Sequence, residues 1–217
     1  MKYFVLSIDD GTVFDAKTIA ILNRLGLHAT FNLNSGLDDF VWYKDGFPIR
    51  RLKLSENVFL YKGHEVASHT LTHPYLDSCD DYEVIRQVKE DKSNLERIFN
   101  REVISFATPF ETCREREINL IRDNTEIKDI RVSIIDESFS FPSSPYFIPC
   151  TCFDIHRANE LLPSFLDKEG DALFVYAGHS YDFEVDRTWD LLETLLVKIK
   201  EADVKVITMA ELLPLIR

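Results

Sequence analysis

Gly63-His64-Glu65-Val66-Ala67-Ser68-His69-Thr70-Leu71-Thr72-His73-Pro74 gathers three of the six histidines of the chain into twelve residues. Residues 64–68 read as a short strand. His69 and His73 follow at i, i+4, a spacing that sets two imidazoles on one side of a single turn, as a metal requires. Pro74 disfavours the α region at His73, so the turn stands alone at the strand end and a helix starts beyond the proline. In 80–99, Val84, Val88, Leu95, Ile98 and Phe99 fall near one stripe, with charges on the other face. Strand, turn and helix make one βα unit. His64 stands at the strand's entrance, before its apolar residues, and is assigned a structural role.

The same alternation runs outward in both directions. Other β-branched and aromatic runs lie at 3–8, 28–33, 103–107, 130–135, 150–154, 173–177 and 204–208. Helical periods occupy 15–25, where Ile19, Leu22 and Leu25 share a face before Gly26, and 188–202, with Trp189, Leu192, Leu195, Leu196 and Ile199. Strands alternating with helices argue for a mainly parallel α/β sheet. With about eight strand candidates, a complete or distorted (β/α) barrel of seven or eight strands is the expected closure, and an open doubly wound sheet is the fallback. No linker divides residues 1–217, so one domain is expected. The least regular stretches are 34–62 and 136–149. In a barrel, long βα loops form the active face, which makes both stretches candidates for substrate contacts; the alternative is solvated insertions.

Composition limits the partners. A net charge of -12, with 45% hydrophobic and 29% charged residues, describes a globular chain without a basic patch, so nucleic acid is not an expected partner. No apolar run approaches the ~18–20 residues of a membrane span, and no secretory leader pattern is visible at Met1, so a cytoplasmic location is expected. Cys79, Cys113, Cys150 and Cys152 then read as free thiols. Cys150-Thr151-Cys152 has no second pair to complete a metal motif.

The first strand ends in Ile8-Asp9-Asp10-Gly11. Adjacent acids at a strand end point to different sides and can serve different partners, one a metal and the other a water. The glycine lets the chain turn. A third element, Phe174-Val175-Tyr176-Ala177-Gly178-His179-Ser180, delivers a histidine at the C-terminal end of a buried-looking strand, where barrel active sites lie. An imidazole there could protonate a leaving amine.

Taken in order, these segments resemble the NodB-like polysaccharide deacetylases, carbohydrate esterase family 4. Ser7-Ile8-Asp9-Asp10-Gly11 is similar to that family's T/S-F-D-D-G motif. His69-Thr70-Leu71-Thr72-His73 is similar to its H-S/T-x-x-H motif, and Ala29-Thr30-Phe31 resembles its second strand. Phe106-Ala107-Thr108-Pro109-Phe110 looks like a third motif of the F-A-x-P-F kind, and His179 like the closing histidine. The resemblance implies a distorted (β/α) barrel of the NodB type and metal-dependent removal of an N-acyl group, usually acetyl, from an amino sugar. It implies Asp10, His69 and His73 as ligands of one divalent metal, zinc first, with iron, cobalt, nickel or manganese also fitting the donors. Asp9 becomes the general base, His179 the proton donor, and Phe110, beside Pro109, the supplier of a backbone N–H to the oxyanion. The expected substrate is a small molecule or oligosaccharide, with oligomeric state left open.

Two departures stand out. The best-known third motif begins with an arginine that orients the base aspartate, and here that position is Ala107. Arg131 and Arg157 are the candidate replacements. The acid that tunes the closing histidine has no clear match; Asp154 is ranked first and Asp182 second. Two other readings therefore stay open: a metal-dependent hydrolase of a non-sugar amide, and a non-catalytic protein that keeps the fold.

Overall fold

The computed structural model describes residues 1–216. In chain order the elements begin with β1 (Lys2–Asp9), α1 (Asp15–Leu25), β2 (Thr30–Leu33), β3 (Val41–Lys44), β4 (Phe47–Arg50) and β5 (Glu65–Ser68). They continue with α2 (Asp81–Phe99), β6 (Ser105–Ala107), α3 (Glu115–Asn124), β7 (Asp129–Ile135), β8 (Ile148–Cys150) and α4 (Ile155–Asp167). The last are β9 (Ala172–His179), α5 (Ser180–Val185), α6 (Trp189–Glu201), β10 (Lys205–Val206) and α7 (Met209–Leu212). Seven of the eight strand runs read from the sequence appear, and the eighth, 150–154, overlaps β8 only at Cys150. The strand lies earlier, within the stretch read as irregular, and the run's end is taken by Asp154 as the cap of α4, its carboxylate accepting the Arg157 N–H at 2.7 Å.

β1 pairs in parallel with β9 along its whole length, from Lys2–Ala172 to Asp9–His179. Its other edge is shared by β10 at Tyr3 and Phe4 and by β2 at Ser7 to Asp9. From β2 the parallel sheet continues through β5, β6, β7 and β8. A parallel bridge at Cys152–Tyr176, flanked by Thr151 N–H to Val175 O (2.7 Å) and Ala177 N–H to Cys152 O (3.1 Å), brings the last strand back to β9. The sheet therefore curls into a distorted barrel of seven strands (β1, β2, β5 to β9) with helices outside, as expected.

Alternation along each strand sorts the residues. Phe4, Leu6 and Ile8 join a large cluster with Ile19, Leu22, Leu161, Phe165, Leu192 and Leu195 of the surrounding helices. Val84, Val88, Ile118, Ile121, Ile130 and Val132 seal α2 and α3 onto β7. On the inner face, Tyr3, Val5, Cys150, Leu173 and Val175 are closed off by Met209 and Leu212. The rest of the interior is polar and buried: Ser7, Thr30, Asn32, Ser105, Asp129, Arg131 and Ser133. Gly26 ends α1 with φ 70°, the left-handed cap its position suggests.

Stretch 34–62 contains a feature not anticipated, the antiparallel β3–β4 hairpin, whose Val41–Lys44 pair with Phe47–Arg50. Stretch 136–149 departs from expectation in the other direction. It returns the chain toward the start of β9, where the Leu173 N–H reaches Phe139 O, and Phe139 is buried against Phe165 and Phe174. Its apolar anchor turns it away from the pocket described below, whose walls it does not form. All four cysteines are free. Among the described residues no helix is long and apolar enough to cross a membrane.

Candidate metal centre and active site

The C-terminal ends of β1, β5, β6 and β9 converge on a pocket of about 290 Å³ lined by Asp9, Asp10, His69, His73, Phe110 and His179, among others. Backbone strain concentrates there. Asp10 (φ 84°), Thr70 (69°), His73 (55°) and Phe110 (55°) all occupy the left-handed region without being glycine. Such conformations cost energy and persist where the surroundings over-determine them. Gly11 (φ +67°) completes the turn after the paired acids, and a Cβ there would lie 2.9 Å from Leu33.

Donor atoms of Asp10, His69 and His73 lie within 4.8 Å of one another. His73 Nε2 is 3.5 Å and His69 Nε2 3.9 Å from Asp10 Oδ1. Bonds of ~2.0–2.1 Å to a tetrahedral ion would separate the donors by roughly 3.3–3.5 Å, so the three fit a divalent cation with little adjustment. The tautomer at His69 fits as well. Its Nδ1 lies 2.8 Å from Ala107 O, an acceptor only, which leaves Nε2 bare toward Asp10. Burial lowers the His69 pKa to about 3 and also lowers that of His73, so both imidazoles are neutral and free to donate lone pairs.

The loop carrying both histidines is held by a buried acid. Asp91 on α2 accepts from Ser68 Oγ (2.6 Å), Ser35 N–H (2.7 Å) and His69 N–H (3.2 Å). Asn34 donates to the carbonyls of His69 and Thr70, and the His73 N–H reaches Thr70 Oγ1 at 3.0 Å. Asp10 is braced from outside by Arg51, whose Nη2 donates to Oδ1 at 2.9 Å, and by Tyr181, whose hydroxyl donates to Oδ2 at 3.2 Å. Burial alone would raise the Asp10 carboxyl, but the charges of Arg51 and His179 hold it far below its usual value.

Asp9 points into the barrel. Arg131 Nη2 donates to both of its oxygens, at 2.7 and 2.6 Å, and Asn32 Nδ2 adds a third bond at 2.7 Å. Burial pushes the Asp9 carboxyl up, but Arg131 first, with His179, outweighs that and keeps it ionised. Of the two candidate replacements for the missing arginine, Arg131 is thus the one in contact; Arg157 lies outside, bound to Glu137 and Glu160.

His179 places Nε2 3.8 Å from Asp10 Oδ2 and Nδ1 2.9 Å from Asp182 Oδ2. Burial opposes its charge, yet the Asp182 hydrogen bond and the charges of Asp10, Asp182 and Asp9 raise its pKa to about 9. Of the two tuning candidates, only the second-ranked one is in contact with the ring. Asp182 touches His179, while Asp154 is exposed and engaged as the α4 cap. Phe110 lies at the pocket rim with its ring 4.5 Å from that of His73 and stacked on Tyr75 at 4.0 Å. Pro109 is buried behind it, its carbonyl accepting from Thr112 Oγ1. His64 is buried edge-on to Phe31, away from the pocket, as its structural assignment expects.

Asn32, Asn34, Asp91 and Tyr181 escaped the sequence reading, and so did two residues of the hairpin stretch, Arg51 and Lys44, the latter donating to Asp182 Oδ1. The signal that could have found the hairpin is Asp45-Gly46 between Val41-Trp42-Tyr43-Lys44 and Phe47-Pro48-Ile49-Arg50, a two-residue turn sequence. Both turn residues have positive φ, 50° and 78°, as that turn demands.

Solved structures share this fold. A family 4 acetyl xylan esterase from Clostridium thermocellum, in complex with a cobalt ion, superposes with a TM-score of 0.68 at 15% identity, over 99% of this chain and 91% of that one. A peptidoglycan deacetylase from Bacillus subtilis gives 0.63 at 16% identity, over 97% and 89%. A CE4 family pseudoenzyme from Bacillus anthracis gives 0.62 at 21%, with 98% of this chain spanning 65% of that protein. At such identities the likeness is one of fold. No curated protein matches by sequence. The family model for polysaccharide deacetylase matches residues 1–125, over half of the chain, a span that includes the strand ends of β1, β5 and β6. The chain belongs to the polysaccharide deacetylase family.

Proposed function

We propose that this protein is a metal-dependent hydrolase that removes an N-acyl group, acetyl first, from an amino sugar, saccharide or glycoconjugate. The observation that carries the reading is the convergence of Asp10, His69 and His73 between Asp9, gripped by Arg131, on one side and His179, bonded to Asp182, on the other. Asp10, His69 and His73 would hold the cation, with zinc best suited to two imidazoles and a carboxylate. A bound divalent cation supplies Lewis-acid polarisation of the acyl oxygen and lowers the pKa of a water from ~15.7 toward ~7.

The protein's own residues divide the remaining work. Asp9, fixed by Arg131 and Asn32, accepts a proton as the water oxygen adds to the acyl carbon. The Phe110 N–H would donate to the oxyanion that develops on the acyl oxygen. His179 then gives its proton to the nitrogen as the C–N bond breaks, releasing carboxylic acid and amine. Asp182 receives the Nδ1–H throughout and orients the ring.

Metal content and acetate release from N-acetylated chitooligosaccharides test the reading together. The zinc-loaded protein is expected to release acetate, and Asp9→Asn to abolish it while retaining the metal. Full turnover by Asp9→Asn would remove the assigned base. Release of an amine from a non-sugar amide in place of acetate from a saccharide would move the substrate class.

A further inference from the structure

The β3–β4 hairpin sits outside the ring of strands, yet it meets the site at two acids. Alternation along it leaves Val41 and Tyr43 exposed and turns Trp42 and Lys44 toward the barrel. Ile49, opposite Trp42, is fully buried. The hairpin is fastened to the loop after β1 by a Thr12–Arg51 bridge, with Val13 N–H to Arg50 O at 3.0 Å and Leu52 N–H to Gly11 O at 2.8 Å. Trp42 packs edge-on against Tyr181 at 5.4 Å, and the Arg51 guanidinium lies over the Trp42 ring at 5.1 Å. From this platform Lys44 passes the Tyr181 ring, 5.5 Å from its centroid, and donates to Asp182 Oδ1.

We propose that Lys44 is a positioning residue for the proton donor His179 and acts through Asp182; the inference rests on the hydrolase reading above. A carboxylate near the start of α5 can rotate about χ2 and tip the ring it binds. With Oδ1 held by Lys44 and Oδ2 by His179 Nδ1, the carboxylate has one orientation, and Nε2 is aimed into the pocket. Tyr181, stacked on the His179 ring at 4.7 Å and 20°, closes the other direction of movement. The hairpin thus supplies one cation to each of two functional acids, Arg51 to Asp10 and Lys44 to Asp182.

The proton from His179 matters most when the leaving group is a poor one. An amine needs it, whereas the phenolate of 4-nitrophenyl acetate departs without it. Lys44→Met is expected to lower kcat for an N-acetylated chitooligosaccharide roughly 10- to 100-fold, a share of the ~10²–10⁴ a positioned acid supplies. KM should stay level, and turnover of 4-nitrophenyl acetate should remain within about twofold if the acid is not needed there. Lys44→Arg should restore most of the amide rate. In NMR spectra of the zinc-loaded protein, the His179 Nδ1–H resonance should be lost to exchange in Lys44→Met and kept in Lys44→Arg. An equal loss on amide and ester, or no loss on either, would overturn the assignment. A wild-type protein that binds zinc and hydrolyses neither substrate would instead remove the underlying reading, and this inference with it.

Discussion

Ala107 and Arg131 stand opposite each other in the β6–β7 register, and the guanidinium of Arg131 crosses the barrel to both oxygens of Asp9. The motif resemblance sets Ala107 where an arginine would be expected. Here the same charge enters one strand further along, at the same level of the barrel. Arg131→Lys keeps the charge but loses the planar fork, and is expected to lower turnover about 10²-fold, as a misplaced base would. Metal content should not change. Arg131→Ala should be worse, and adding Ala107→Arg to it should recover part of the activity by returning the guanidinium to the neighbouring strand. Kinetics of the two single variants and the double variant, each zinc-loaded, check this; a fully active Arg131→Lys would show that Asp9 needs no such partner.

Asp10 and Arg51 form a buried pair, with about 5–6% of either side chain exposed. Removing one member of such a pair costs roughly 3–5 kcal/mol because the other charge is left unpaired. Arg51→Met should therefore destabilise the metal-free protein by about that much. Saturating zinc supplies Asp10 with another cationic partner and should recover part of the loss. Denaturant titrations with and without zinc decide it, and an identical deficit in both would mean that Arg51 does not act through Asp10.

Asp15 is buried, bonded to the Tyr61 hydroxyl at 2.8 Å, and burial raises its pKa from 3.8 to about 7. Its folded-state pKa lies above its unfolded value, so between those pH values the folded protein holds a proton that the unfolded chain releases. Stability from this group is full below pH 3.8 and declines as pH rises toward about 7, by up to ~1.4 kcal/mol per pH unit. Asp15→Asn has no such proton, so it should gain on the wild type from pH 4 to 7 and run parallel above. Unfolding free energies at several pH values give the difference, and a constant offset would contradict the shift.

Asp182 and Asp154 should separate cleanly. Asp182→Asn removes the anionic acceptor of His179 and should depress amide turnover while leaving stability nearly unchanged. Asp154→Ala removes the α4 cap and should cost about 1 kcal/mol of stability, with turnover unaffected. Thermal melts and kinetics on both variants test the pairing, and a catalytic defect in Asp154→Ala would restore the order read from the sequence.

Much of the barrel is legible in the chain because outward-facing residues such as Phe4, Leu6, Ile8, Ile130 and Val132 follow strand periodicity, and Leu192, Leu195, Leu196 and Ile199 follow helical periodicity. The ligand turn is legible for a local reason: Pro74 after His73 forbids continuation of a helix, and His73 adopts φ 55°. Arg131 was only one of two guesses. Its strand alternates in the ordinary way, and whether its polar side faces solvent or a barrel interior depends on closure by strands far away in sequence. The hairpin escaped because Pro48 and the charged Lys44 and Arg50 weaken a strand pattern, although Asp45-Gly46 marks the turn. Asp182 lost to Asp154 because both are acids near a helix start, and only the β9–α5 corner decides which one meets His179.

The polar interior carries a lesson for engineering. In most barrels the centre is where tighter hydrocarbon packing would be sought. Here Ser105 Oγ lies 2.6 Å from Glu65 and 2.8 Å from Asp129, and a single hydroxyl hydrogen can satisfy only one of them, so the other contact requires a proton on Asp129, whose pKa burial drives well upward. With Arg131 anchoring Asp9 above, the centre is a stack of interdependent polar choices that cannot be exchanged singly. Thermostable variants are therefore better sought among the helix-facing clusters, while the inner faces are redesigned as a whole or left as they are.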